Sequence, residues 1–482
     1  MEVSLFPRQI KALNSKATEI LYGGAAGGGK SFFLRVSAIR WCMEVPGIQA
    51  YIFRRTLPDL RQNHLRGPTS FHVLLSEMID SGHVKFRSQE NEFSFWNGSR
   101  IALGHVQYED DVNKYHGAEI HVLLMDELTH FTSYIYSFLR SRVRVAGLDI
   151  PEKYKDLLPR IESGSNPGNV GHAWVKRAFV APRKPEEIWQ TPNDEGGMTR
   201  QFIPAKLSDN PALEESDPMY LARLEGLANP ALVKAMRDGD WDIIAGAAFD
   251  RFRRGVHIIE PFELPRWWLR FMAIDWGSTK PFSVGWWAVS DGTLVGDRYL
   301  PKNALIRYRE WYGWNGTPDE GLRIESTEVA DGILSREGPK EKIAYRVADS
   351  SMFARHDGPS IAERMGSHGV NLYKSKKDRE AGYAEVRFRI AGIDGVPLLY
   401  SFDTNEHGFN RTFPDLVLDE RNPEDVDTRQ EDHCFDETYY ACLSRPWVRK
   451  EEKEEQAPEG LTFDQAFARQ KDGGRRQWWQ NA

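Results

Sequence analysis

Three cysteines in 482 residues, Cys42, Cys434 and Cys442, are too few and too scattered for a disulfide framework or a zinc site built on paired cysteines, and they fit a reducing compartment. No apolar run reaches 18 residues, so no membrane-spanning helix is expected. The first twelve residues carry Glu2, Arg8 and Lys11 in place of the apolar core of a secretory leader, so a soluble cytoplasmic protein is expected. Positive charge is not in excess either. With 70 acidic and 63 basic residues the formal charge is -7, which excludes a protein that coats nucleic acid through bulk charge. Any such contact has to be local, and the first hundred residues, with 13 basic and 8 acidic side chains, are the most basic stretch. Internal repeats and low-complexity tracts are absent. What remains is ordinary globular composition: 40% hydrophobic, with 15 Trp and 25 Phe, in a chain long enough for two or three domains of about 150 residues.

Periodicity changes near residue 250. From Glu19 to about Ser165 short apolar strands alternate with helical stretches, as in a mostly parallel α/β sheet. The candidate strands are Ile20 to Tyr22, Ala50 to Phe53, Ile120 to Met125 and Arg160 to Ser163. Asn97-Gly98, between Phe93 to Trp96 and Ile101 to Leu103, reads as a two-residue hairpin turn in an insertion or antiparallel edge. Residues 209–241, with Leu213, Tyr220, Leu221, Leu224 and Leu227 at helical spacing, read as helix ending at Gly239-Asp240-Trp241. The second half opens with strands in immediate succession from Trp267 to Tyr312, which requires antiparallel pairing. Strands and helices then alternate as far as a helix at His433 to Leu443. The expected division is therefore 1–245, a linker at 246–266 rich in Gly and Pro, 267–450, and a charge-rich, solvated tail at 451–482 that ends near Trp478-Trp479.

Gly24-Ala25-Ala26-Gly27-Gly28-Gly29-Lys30-Ser31 follows an apolar strand and precedes the helical run Phe32 to Met43, the context of a phosphate-binding P-loop (Walker A). Gly24, Gly27, Gly28 and Gly29 let the backbone wrap phosphate and aim N–H groups at it. Lys30 neutralises β/γ-phosphate charge, and Ser31 is a ligand for Mg²⁺. Hydrolysis also needs a strand that delivers an acid to the metal and a base beside it. Ile120 to Glu127 supplies both: Asp126 for Mg²⁺ and Glu127 to polarise water. Gln9, in Phe6-Pro7-Arg8-Gln9, is a candidate for the adenine edge, and Asn166, in Ser165-Asn166-Pro167, for sensing the γ-phosphate; the start of a helix and an ordinary turn are the alternative readings. Arg54, Arg55, Arg140, Arg142 and Arg144 are all candidates for a charge-stabilising guanidinium, and the residues alone do not choose among them.

A second set of carboxylates marks the second half. Asp275 ends the strand Phe271 to Ile274, Asp349 ends Arg346 to Ala348, and Asp432 and Asp436 share one helix face. Carboxylates brought together from separate elements can hold two divalent ions for phosphodiester cleavage. Lys374, Lys376, Lys377 and Arg379 form a short basic loop suited to a nucleic-acid backbone or simply to solvent.

Taken together, these motifs resemble the large terminase subunit of tailed bacteriophages, over most of residues 5–443. The resemblance rests on Phe6 to Gln9, the P-loop, Asp126-Glu127, Ser165 to Pro167, Asp209-Asn210-Pro211, Gly239-Asp240-Trp241, Gly246-Ala247-Ala248-Phe249, Asp275-Trp276-Gly277 with Pro281, Asp349 and Phe435 to Ala441. It implies an N-terminal ATPase domain with a mostly parallel sheet and a C-terminal ribonuclease-H-like nuclease domain with a mixed sheet. It also implies ATP as cofactor, with Mg²⁺ or Mn²⁺ at a nuclease site held by Asp275, Asp349 and Asp436, and Asp432 as a fourth ligand. Arg142 would be the arginine acting in trans. The implied partners are double-stranded DNA, a portal protein, a small terminase subunit and further copies in a ring assembled from monomers, with no membrane, in the host cytoplasm. Glu437-Thr438-Tyr439 departs from the pattern, since many relatives carry a small residue, an apolar one and Arg there. A helicase-like or repair ATPase-nuclease is the alternative, and a nucleotide-binding assembly scaffold a third reading.

Overall fold

Strands Glu19–Gly24 (β1), Gln49–Arg54 (β2), Val84–Arg87 (β3), Glu92–Phe95 (β4), Arg100–His105 (β5), Val122–Asp126 (β6), Arg160–Ser165 (β7), Ile188–Gln190 (β8) and Thr199–Ala205 (β9) form one sheet, in the order β3-β4-β5-β2-β6-β7-β1-β9-β8. From β5 to β9 the neighbours are parallel, and β3, β4 and β8 are antiparallel additions at the two edges. The β1 strand is buried along its whole length, as expected of a parallel sheet covered on both faces. Ile20 and Tyr22 enter one core and Leu21 the other, following the alternation of a strand. Each fully buried aliphatic side chain of this kind contributes roughly 1.5–3 kcal/mol.

Ile258–Ile259 (β10), Leu269–Asp275 (β11), Ser283–Val289 (β12), Leu294–Val295 (β13), Arg298–Tyr299 (β14), Leu305–Tyr312 (β15), Ile343–Ala348 (β16), Tyr373–Lys374 (β17) and Leu399–Phe402 (β18) follow. All but β13 and β14, a separate small hairpin, join a second, mixed sheet in the order β10-β18-β15-β12-β11-β16-β17. The expected antiparallel start is present as β11-β12-β15, while β16 runs parallel to β11. Here too alternate residues part: Phe271 and Ala273 face one core, Met272 and Ile274 the other.

The structure, a computed structural model, describes residues 4–445 except 227–229, 245, 297, 356–357 and 420. The segment 451–482 with Trp478-Trp479, residues 446–450 and Leu227 therefore lie outside the described residues. The described residues from 4 to 444 form one compact unit that carries both sheets. Among the described residues no helix is long and apolar enough to cross a membrane, and all three cysteines are buried and free.

Several local expectations are corrected. The hairpin between β4 and β5 closes through Phe95 N to Ser99 O at 2.8 Å, so its loop is Trp96 to Gly98 rather than two residues, with Gly98 at φ 82°. The described residues of the long helix read over 209–241 form three short helices, Pro211–Ser216, Tyr220–Glu225 and Pro230–Asp238, the first ending before Pro218. Proline removes a helical donor and disfavours helix in the residue before it. Within 246–266, Ala248, Phe249 and Phe252 pack into the second domain's core, and β10 pairs with β18. Strands β8 and β9 and the helix Ser326–Arg336 were not expected from the pattern.

Candidate active sites

Because β2, β6, β7 and β1 are consecutive and parallel, their carboxyl ends lie side by side, the usual place for a ligand crevice in an open α/β sheet. These ends carry Arg54, Asp126, Ser165-Asn166 and the P-loop. The helix Lys30–Glu44 starts at Gly29, at φ 72°, and its first N–H groups face the loop. Lys30 is 6% exposed and its Nζ donates to Ala25 O at 2.5 Å and to Asn166 Oδ1 at 2.6 Å. Burial lowers its pKa, against the opposing pull of Glu127 and Asp126. Ser31 Oγ donates to the two oxygens of Asp126 at 2.9 and 3.1 Å, the pair expected to share Mg²⁺.

Asp126 is held from two further directions. Arg54 Nε donates to its Oδ2 at 2.7 Å, and His64 Nε2 approaches the same oxygen at 3.0 Å. Burial acts to raise its pKa, but the His64 and Arg54 contacts outweigh this and hold the carboxyl below the usual carboxylate range. His64 is delivered by the helix Leu57–His64, capped by Thr56 Oγ1, which accepts from Asp59 N at 3.2 Å. Burial lowers the His64 pKa, and its Nδ1 faces the Arg35 donor at 3.4 Å, which assigns a neutral ring with the proton on Nε2. Glu127 sits at φ 59°, a strained backbone costing about 1–3 kcal/mol, with a carboxylate oxygen 3.7 Å from Arg54 Nη2.

Gln9 is buried; its Nε2 donates to Gly29 O at 3.0 Å and its Oε1 accepts from Phe6 N at 2.9 Å, so the amide braces the P-loop. Asn166 O accepts from Thr129 Oγ1 at 3.1 Å, tying it to the turn after Glu127. The 209–241 segment closes over the loop: Asn210 Nδ2 donates to Gly27 O at 2.6 Å and Ala26 N to Met236 O at 2.7 Å. A Cβ on Gly239, at φ 67°, would meet the Gly24 carbonyl carbon at 2.6 Å, so only glycine fits that approach.

Arg142 is not brought into this site within its own chain. Its carbonyl accepts from Ile120 N, just before the start of β6, about 20 Å along the strand from Asp126. Its guanidinium donates to His116 O at 3.2 Å and lies over Phe138. Arg140 donates to Glu195 O at 2.5 Å. Arg54 is the arginine at the acidic pair, and the only sequence signal for it was its place at the end of a strand next to the central one.

The second centre is built on neighbouring strands. Ile274 and Ala348 are partners in the parallel β11-β16 pair, so Asp275 and Asp349 leave adjacent strand ends. The helix His433–Ser444 packs across β11, β12 and β16 and adds Asp436; Asp432, expected on the same helix face, lies immediately before the helix instead. His433 Nδ1 lies 3.4 Å from Asp275 and its Nε2 3.0 Å from Asp319 Oδ1, with Lys280 also bonded to Asp319. Arg379 bonds Asp425, Asp432 and Asp436. Asp349 accepts from Ser350 and Ser351. Burial raises the pKa of Asp275, with Asp432 and Asp349 adding to it and His433 opposing; burial also raises Asp432, against Arg379 and His433. Asp436 is driven well above the usual range by burial and by Asp432 and Asp275. His433 is raised well above the ordinary imidazole value, its carboxylate bonds overcoming burial.

This donor set, almost all carboxylate oxygen, suits a hard divalent cation. In the observed conformation Arg379 and His433 supply the compensating charge, and among the described residues no three such side chains are disposed as a ready metal cage. Lys280, Asp319, His433 and Arg379 were missed as members of this centre, because only tertiary packing brings them to it. The departure at Glu437 is explained: it is fully buried and accepts from Trp287 Nε1 at 2.6 Å and Arg307 Nε at 3.1 Å, so it belongs to the core.

The family model described as "Terminase large subunit, T4likevirus-type, N-terminal" matches residues 21–255. Among solved structures, the large terminase of a thermophilic bacteriophage, in complex with ADP, aligns at 17% identity over 92% of this chain and 99% of that one, with a TM-score of 0.38. The HK97 bacteriophage large terminase aligns at 10% identity over 92% and 96%, with a TM-score of 0.46. The P22 large terminase nuclease domain aligns at 16% identity over 42% and 95%, with a TM-score of 0.32. No curated protein matches the chain. Residues 21–255 of this chain belong to the terminase large-subunit family.

Proposed function

We propose that the protein is the motor of viral genome packaging: it hydrolyses ATP to drive double-stranded DNA into a procapsid, and its second domain cuts the DNA. The observation that carries this reading is the convergence of Lys30, Asn166, the Ser31–Asp126 pair, Glu127 and Arg54 on the ends of four neighbouring parallel strands, in a chain whose residues 21–255 match the family. Lys30 and the P-loop N–H groups bind the phosphates, and Ser31 and Asp126 would hold Mg²⁺, which screens phosphate charge when bound. Glu127 orients and deprotonates the attacking water. Arg54 stands where it can offset charge developing on the γ-phosphate, and Asn166 relays loss of that phosphate to the 129 turn.

In the second domain Asp275, Asp349, Asp432 and Asp436 would hold Mg²⁺ or Mn²⁺, which supplies an activated water and stabilises the leaving oxygen. The domains are read as 1–245 and 267–450, joined by 246–266, whose Ala248, Phe249 and Phe252 pack against the second. Partners are double-stranded DNA, a portal, a small terminase subunit and further copies in a ring, in the host cytoplasm, with Arg142 offered to a neighbour's site. The test is DNA-stimulated ATP hydrolysis and metal-dependent plasmid cutting by the full chain. Turnover should vanish in Lys30→Ala and Glu127→Ala, and cutting in Asp275→Ala. Normal cutting by Asp275→Ala, or strand unwinding by a chain that binds no portal, would overturn the reading.

A further inference from the structure

Arg379 is the first residue of the helix Arg379–Ala391, whose N-cap Asp378 accepts from Ala381 N at 3.0 Å. Its Nε donates to both oxygens of Asp425 at 2.8 Å, its Nη2 to Asp432 Oδ2 at 2.8 Å, and its Nη1 to Asp436. The Phe435 ring lies against the guanidinium, 5.1 Å from its centroid. One cation thus serves three carboxylates. A guanidinium does not lose its proton in a protein, so this charge is permanent. It leaves only if the acids gain another cation or the arginine another anion. Two of its partners, Asp432 and Asp436, are carboxylates assigned above to a divalent ion, so the ion and Arg379 compete for the same oxygens.

The arginine is also placed to meet an incoming anion. Its side chain is still 22% exposed, and Lys374, Lys376 and Lys377, all exposed, immediately precede its helix. Planar bidentate pairing with phosphate is as favourable for Arg as pairing with carboxylate. Asp425 holds Nε independently of the other two acids, so the side chain can turn about that anchor without losing every partner.

We propose that Arg379 is an internal counter-ion that keeps the acidic centre closed to metal until a nucleic-acid phosphate draws it away, so that metal loading follows DNA engagement. The inference rests on the nuclease reading of this centre. It is tested by Mn²⁺ titration calorimetry on the full, nucleotide-free chain with and without a short DNA duplex, scoring the binding component that Asp436→Asn removes. Arg379→Gln should bind Mn²⁺ about tenfold tighter or more than the unchanged protein, the scale of one lost charge-assisted competitor. DNA should tighten Mn²⁺ binding to the unchanged protein by a similar factor and leave Arg379→Gln little changed.

Should Arg379→Gln fail to fold, Arg379→Lys keeps the charge but cannot bridge three acids, and it should tighten Mn²⁺ by a smaller factor. Equal Mn²⁺ affinity in the unchanged and variant proteins overturns the proposal. Tighter Mn²⁺ in the variants together with no plasmid cutting by the unchanged protein would uphold the counter-ion and overturn the nuclease reading. Metal-dependent cutting with unchanged Mn²⁺ affinity would do the reverse.

Discussion

Lys30 and Asn166 are joined by a 2.6 Å hydrogen bond, Nζ donating to Oδ1, across the ends of the adjacent parallel strands β1 and β7. The lysine proposed to meet the phosphates is thereby tied to the residue whose carbonyl holds Thr129, two positions beyond Glu127. On the proposed function, an incoming γ-phosphate would compete with Asn166 for Lys30, and this exchange would link nucleotide state to the turn after Glu127.

Removing the two ends of that bond should therefore have different effects. Lys30→Ala is expected to lose nucleotide binding and turnover together. Asn166→Ala should keep nucleotide affinity within a few-fold and lose about 10²-fold in turnover, the scale of removing one positioned polar group at a transition state. Fluorescent-nucleotide binding and steady-state phosphate release separate the two, and equal loss of affinity in both variants would contradict the assignment.

His64 reaches the first site through Asp126, the carboxylate proposed to hold Mg²⁺, so the role expected of it there is positioning. His64→Ala is expected to raise the Mg²⁺ concentration needed for half-maximal ATP turnover about 10- to 100-fold, as is typical when a group behind a metal ligand is removed. Partial recovery in His64→Gln, whose amide can donate to the same oxygen, would distinguish positioning from loss of fold.

Arg54→Ala is expected to lower ATP turnover about 10²-fold or more even in the isolated chain, because Arg54 contacts Asp126 and Glu127 of its own subunit. Turnover by the monomer unchanged from the parent would remove Arg54 from the site.

His172 provides a pH test of stability. Burial, with Lys176 adding to it, lowers its pKa to about 4 from the ordinary 6.5, and its Nδ1 accepts from Gly168 N at 2.9 Å, which a proton there would break. With the folded pKa depressed, the unfolded chain binds the proton first. Stability is full above about 6.5 and is lost as pH falls toward 4, by about 3 kcal/mol at most. Thermal melts of His172→Gln should show a smaller loss between pH 7 and 4 than the parent.

Arg307 is wholly buried and pairs with Glu437 at 3.0 Å and Glu310 at 2.5 Å. Arg307→Ala should destabilise by about 3–5 kcal/mol by leaving buried carboxylates without a cation. Burial already pushes the Glu437 carboxyl up to about 7, so this group favours the folded state below about 4.5 and loses that effect as pH rises through 7. Chemical denaturation should accordingly find the variant's deficit larger at pH 8 than at pH 5.

The order of strand, glycine loop, helix and acidic strand is written in local spacing, and this is why the P-loop, Asp126-Glu127 and Asp275 are legible in the residues alone. Runs such as Leu21-Tyr22 and Leu123-Leu124-Met125 must be buried on both faces, and the glycines at 24–29 have the spacing expected of a phosphate cradle. What spacing does not contain is which strand lies beside which. The sequence by itself determined two α/β units and their acidic strand ends, because burial periodicity and glycine chemistry act over a few residues. Only the tertiary structure decided that Arg54 rather than Arg142 faces its own chain's Asp126, that Gln9 braces Gly29, and that Arg379 sits among Asp425, Asp432 and Asp436. Those contacts join residues about 20 to 70 positions apart, and they exist only where sheet order and helix packing bring buried polar and charged groups together to be satisfied.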